Sequence, residues 1–76
     1  MSERLPRVTA VEVIRVLEKS GFLFVRQSGS HKIFKNQEGK RATVPYHGNR
    51  TLHPKVLRSV LREADLTIEE FQARLK

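Results

Sequence analysis

Apolar residues recur with helical spacing near the start of the chain, at i, i+3, i+4 and i+7. Thr9 and Glu12 have the spacing of a capping box, in which a hydroxyl and a carboxylate satisfy backbone amides at a helix start. Gly21 can adopt the left-handed conformation that ends a helix. The pattern therefore predicts a helix from about 10 to 20. Its apolar face consists of Ala10, Val13, Ile14 and Leu17.

The middle of the chain changes to short runs of β-branched and aromatic residues separated by turn residues. The runs at 22–27 and 31–35 flank the turn 28–30, which predicts a β-hairpin. A second turn leads to a third run at 41–44. Pro45 either ends this run or confines it to a sheet edge, because proline has no amide to donate. We expect three antiparallel strands in a meander.

Two more helices are predicted in the last third of the chain. Pro54 suits the first position of a helix, where its missing N–H is not needed. Thr67 and Glu70 form a second capping box, so a short third helix is expected to follow Thr67. The apolar residues of the second helix are Leu57, Val60, Leu61 and Ala64, and those of the third are Ile68, Phe71 and Leu75.

These elements give the order α-β-β-β-α-α and predict an α+β fold, with helices packed on one face of a three-stranded antiparallel sheet. The 76 residues predict one small domain over 1–76, and the absence of cysteine excludes a disulfide framework and a thiolate metal site. No apolar run is long enough to span a bilayer, and the first residues lack the apolar stretch of a signal peptide. We therefore expect a cytoplasmic protein without membrane contact.

Positive charge is concentrated in the middle of the chain. The net charge is +7, with 15 Lys and Arg against 8 Asp and Glu. Residues 26–62 hold nine basic residues and one acidic residue, Glu38, a net charge of +8. Such a segment favours a polyanion as partner, nucleic acid above all, because each Lys or Arg set against a phosphate releases a condensed counterion. A solubilising surface is the alternative interpretation.

The sequence excludes several kinds of enzyme. It contains no GxGxxG, P-loop, HExxH, CxxC or GxSxG motif, so dinucleotide, P-loop and zinc-protease chemistry are not expected. Metal-dependent nucleases hold hard cations with clustered carboxylates, and the basic segment offers Glu38 alone. Any catalysis should therefore need neither metal nor cofactor.

His31 is the strongest candidate for acid–base chemistry. Histidine exchanges protons near neutral pH, since its ordinary pKa is about 6.5. His31 follows Gly29 and Ser30 at a predicted turn, where a glycine lets a phosphate approach the backbone closely. A base there can deprotonate a ribose 2′-hydroxyl for attack on the adjacent phosphate; the alternative is a polar strand residue. The flanking cations that would hold the phosphoryl charge are Arg26, Lys32 and Lys35.

The other two histidines have simpler interpretations. His47 is either a second proton donor or a loop residue, and His53 is expected to cap the second helix. Spacings of 16 and 6 put no two of the three histidines on one helical face, which argues against a histidine metal site.

The segment 26–34, with Gly29-Ser30-His31 at its centre, resembles the HicA mRNA interferase toxins. Gly21-Phe22 before it and the Val-Pro-x-His pattern at 44–47 after it also match, and the resemblance covers roughly residues 9 to 66. It implies a double-stranded-RNA-binding-like fold, a catalytic His31, an mRNA substrate and a HicB-type antitoxin that silences the toxin.

On this resemblance we expect a toxin that is a metal-independent endoribonuclease and makes no DNA contact by itself. Lys32 and Lys35 would steady the scissile phosphate, and Arg58 and Arg62 would follow the strand farther away. The second acid–base group is open among Ser30, Lys32 and His47. The candidate RNA-binding residues are Arg26, Gly29, Ser30, Lys32, Lys35, Lys40, Arg41, Arg58 and Arg62.

Two alternatives remain. A non-catalytic RNA-binding module on the same kind of scaffold would bind phosphates without cutting and would need no histidine. A helix-turn-helix regulator fits poorly, because the predicted strands occupy the basic segment.

Overall fold

The computed structural model describes residues 5–75 and confirms the predicted α+β fold and element order. Within those residues, no helix combines the length and apolar character needed to cross a membrane. The three helices are α1 (Ala10–Lys19), α2 (Pro54–Ala64) and α3 (Ile68–Leu75). The three strands are β1 (Leu23–Ser28), β2 (His31–Lys35) and β3 (Arg41–Pro45).

Helix α1 begins at the predicted capping box. The backbone amide of Thr9 donates to Glu12 Oε1 at 2.9 Å, and the amide of Glu12 donates to Thr9 Oγ1 at 3.3 Å. The helix ends at Lys19, one residue earlier than predicted, and Gly21 reverses the chain with φ of +90°. These local signals place α1 directly before the sheet.

The sheet is antiparallel with strand order β1-β2-β3. Gly29 and Ser30 connect β1 to β2 as a two-residue turn in which only Gly29 has a positive φ, +59°. A glycine at the first central position is the requirement of a type II′ hairpin turn. Pro45 lies within β3, which is an edge strand, as its missing amide demands.

The two faces of the sheet differ because successive side chains of a strand point to opposite sides. Phe34, Ala42 and Val44 are buried in the core that the helices cover, and β3 packs against both α1 and α2. His31, which pairs with Pro45, lies on the other side and is exposed. Ile33 lies on that side too and is buried, but it is not part of the core cluster. We call this second side the open face.

Helix α3 completes the core from the far end of the chain. A second capping box starts it, with the amide of Glu70 donating to Thr67 Oγ1 at 3.0 Å and that of Thr67 donating to Glu70 Oε1 at 2.9 Å. Phe71 is completely buried. Lys19 Nζ donates to the carbonyl of Arg74 at 2.9 Å, which joins the end of α1 to the end of α3.

Candidate nucleic-acid interface

His31 lies at the exposed end of the β1–β2 hairpin, as the first residue of β2. The turn before it is held on both sides. Gln27 Nε2 donates to the carbonyl of Gly29 at 2.9 Å, and the amide of Tyr46 donates to the carbonyl of Ser30 at 2.6 Å. The imidazole is therefore presented to solvent from a backbone that hydrogen bonds fix to the end of β3.

A β-bulge brings Arg26 to the same side as His31. Phe24 pairs with Phe34 and Arg26 pairs with Ile33, so Val25 is an extra residue in β1. Strict alternation would have put Arg26 on the side of Phe24, but the bulge turns it to the open face. Arg26 is then the diagonal neighbour of His31, a Cα separation of about 7–8 Å.

Two more cationic side chains lie on the open face, at the end of the strands far from His31. Lys35 pairs with Arg41 across β2 and β3, and both side chains are exposed. Lys35 lies four residues along β2 from His31, about 13 Å at the usual rise of a strand. We call Arg26, His31, Lys35 and Arg41 the open-face track. Along this track His31 lies at one end, Arg26 lies in the middle, and the paired residues Lys35 and Arg41 lie at the other end.

Lys32 does not share this track, although it follows His31 in the chain. It pairs with Val44, on the helix-covered side of the sheet. Its Nζ lies 4.0 Å from the centroid of the Tyr46 ring, a cation–π contact. Tyr46 thus contacts both the hairpin turn and the Lys32 ammonium, a role that nothing in its sequence position indicates.

The remaining predicted RNA-binding cations lie elsewhere. Lys40 Nζ forms an ion pair with Asp65 Oδ2 at 3.3 Å, in the turn before β3. Arg58 and Arg62 are exposed on α2, beside a shallow groove between α2 and α3. Because α2 packs on the covered side of the sheet, the structure divides the predicted cations between two surfaces.

The other histidines lie outside the track. His53 caps α2 as predicted, with Nδ1 accepting from the amide of Lys55 at 3.1 Å. His47 is exposed in the loop between β3 and α2. Among residues 5–75, no three His, Cys, Asp or Glu side chains are grouped so that they could hold a metal ion.

Most of the residues that form this architecture match a known protein family. A family model described as the HicA toxin of bacterial toxin-antitoxin systems matches residues 10–66. The match includes α1, all three strands, the whole open-face track and α2, and it ends before α3 begins. No curated protein matches the chain.

Proposed function

The chain belongs to the HicA toxin family, and on that premise we propose that this toxin is a metal-independent endoribonuclease whose target is mRNA. The observation that carries the proposal is the exposed His31 at one end of a cationic sheet face, next to a glycine turn. A base and a set of phosphate-binding cations on one exposed surface are what RNA cleavage through the 2′-hydroxyl requires.

The proposed reaction transfers the phosphate within the RNA strand. The His31 imidazole takes the 2′-hydroxyl proton, and the 2′-oxygen forms a bond to phosphorus. The bond from phosphorus to the 5′-oxygen breaks, and that oxygen takes a proton from the imidazolium or from a second donor. The fragments then carry a 2′,3′-cyclic phosphate and a 5′-hydroxyl. Arg26, diagonal to His31, stabilises the charge on the phosphoryl oxygens.

The cations have different roles in this proposal because they lie at different places. Lys35 and Arg41, about 13 Å from His31, bind phosphates of neighbouring nucleotides rather than the scissile one. Lys32 is held on the other side by Tyr46, so it supports the hairpin end and adds long-range attraction. Arg58 and Arg62 contact RNA that curves around the edge of the sheet.

A toxin of this family implies an antitoxin as partner. We propose an acidic, HicB-type protein that covers the open-face track and thereby removes His31 from solvent. Opposite charges would make the association fast and sensitive to salt.

The proposal is tested with purified protein, end-labelled single-stranded RNA and excess EDTA. We expect discrete fragments, because the proposed chemistry uses side chains alone. A control adds Mg²⁺ in place of EDTA and should give the same fragments. Intact RNA that is only retarded in a gel would instead identify a non-catalytic RNA-binding module. Cleavage that EDTA abolishes and Mg²⁺ restores would contradict the metal-independent mechanism.

A further inference from the structure

Strand β1 exposes three consecutive apolar side chains at a sheet edge. Leu23 is 72% exposed, Phe24 54% and Val25 50%, and these are the exposed large hydrophobic residues of the described chain. β1 has a strand neighbour on one side only, β2. An edge strand with apolar side chains and an open row of backbone groups is a template on which another strand can pair.

The opposite edge of the sheet, formed by β3, has fewer backbone groups free for pairing. The amide of Thr43 in β3 donates to Glu63 Oε1 of α2 at 3.1 Å, so a side chain occupies that edge. Pro45, in the same strand, has no amide to offer. The fold therefore closes the β3 edge and leaves the β1 edge available for pairing.

The apolar side chains of β1 spread over both sides of this edge. Leu23 and Val25 line a shallow depression of about 500 Å³ with Lys35 and Gln37. Phe24 points to the other side, where its ring meets that of Phe34 edge to face at a centroid distance of 5.7 Å. A strand laid along β1 could bury apolar side chains on both of its faces.

The positive charge around β1 indicates which kind of partner binds at this sheet edge. Arg26 and Lys35 flank the apolar residues, and no acidic residue occurs between positions 19 and 37. A second copy of this chain would bring another net charge of +7 and another β1 without a carboxylate. RNA does not add a strand to a sheet edge, and its charged backbone is not complementary to the apolar side chains of Leu23 and Val25. An extended protein segment with apolar residues at its centre and acidic residues on both sides of them satisfies the backbone, the apolar side chains and the cations together.

We propose that the β1 edge is the docking site for an acidic strand of a partner protein, which extends the sheet by one strand. The added strand lies beside Arg26 and so obstructs one side of the open-face track. This blocking of RNA rests on the proposed function, whereas the docking itself does not.

The probe is a nine-residue peptide with three central Val residues and three Glu residues on each side of them, added to the ¹⁵N-labelled protein at low salt. We expect saturable amide shifts centred on β1 in NMR spectra, with slower amide exchange along that strand. A peptide of the same length with two central prolines cannot pair as a strand and should leave β1 unchanged. The same peptide with Lys in place of every Glu should bind at least tenfold more weakly.

The matched variant is Leu23→Thr with Val25→Thr, which keeps charge and strand preference but removes apolar surface. We expect at least a tenfold loss of affinity for the Glu and Val peptide. The control is Ser59→Thr with Ala73→Thr, at exposed positions of α2 and α3, which should bind the peptide like the parent protein.

Three results would overturn the docking proposal: equal affinity in the Leu23/Val25 variant, peptide-induced shifts outside β1, or a short RNA oligonucleotide that produces the same β1 shifts. Concentration-dependent dimerisation lost in that variant would assign the edge to a second copy instead. The NMR titration does not depend on RNA cleavage. If the protein binds the peptide at β1 but cleaves no RNA, the proposed function is wrong and the docking site is still supported.

Discussion

His31→Ala will lower the rate of RNA cleavage by about 10²- to 10⁴-fold, the usual loss when a proton-transfer group is removed. The side chain is exposed and contributes nothing to the core, so the free energy of unfolding should change by less than about 0.5 kcal/mol. RNA binding should persist, since the open-face track keeps its three permanent cations. The measurement is a single-turnover cleavage rate, with gel retardation and urea unfolding of the same preparation.

His47→Ala tests the second exposed histidine, which lies outside the track. It should retain cleavage within a few-fold if His47 is a loop residue, and a larger loss would identify it as the second proton donor. Unchanged cleavage in His31→Ala would remove His31 from the mechanism.

Phe71→Ala will lower the free energy of unfolding by about 3–5 kcal/mol, the cost of deleting a buried phenylalanine. A 76-residue domain is expected to have only about 4–11 kcal/mol in total, so the variant should be close to unfolding. The effect is notable because Phe71 lies in α3, beyond the residues that match the family model, yet it is completely buried in the same core. Urea denaturation followed by circular dichroism measures the change.

Ala73→Ser is the control for Phe71→Ala, an exposed position on the same helix, and should cost no more than about 0.5 kcal/mol. A loss below about 1 kcal/mol in Phe71→Ala would mean that α3 is not part of the cooperative unit of unfolding. The rest of the fold would then be stable without it.

The fold could be predicted from the sequence because its signals are local. Thr9 with Glu12 and Thr67 with Glu70 mark helix starts by hydrogen bonds that span three residues, and both capping boxes are present. Gly29 marks the hairpin by the positive φ that the turn needs. Each of these signals depends on one or two residue types at a set spacing, which a sequence displays directly.

The arrangement of the cations could not be predicted in the same way. A bulge adds one residue to a strand, so every later side chain of that strand points to the opposite side of the sheet. No residue type in 23–26 marks where β1 takes up the extra residue. Alternation along the predicted second strand already separates Lys32 and Lys35, which are three positions apart, but it does not show which side of the sheet the helices cover. The ion pair of Lys40 with Asp65 joins residues 25 positions apart, a distance at which sequence patterns carry no pairing information.

The proposed mechanism centres on the attack of a ribose 2′-hydroxyl, assisted by His31. The most direct measurement first maps one cleaved linkage in an all-ribose oligonucleotide and then replaces the nucleotide on its 5′ side with a 2′-deoxy nucleotide. Cleavage at that linkage should stop, and fragments of the all-ribose strand should carry 2′,3′-cyclic phosphate ends. Continued cleavage at the 2′-deoxy linkage, or fragments with 3′-hydroxyl ends, would contradict the mechanism.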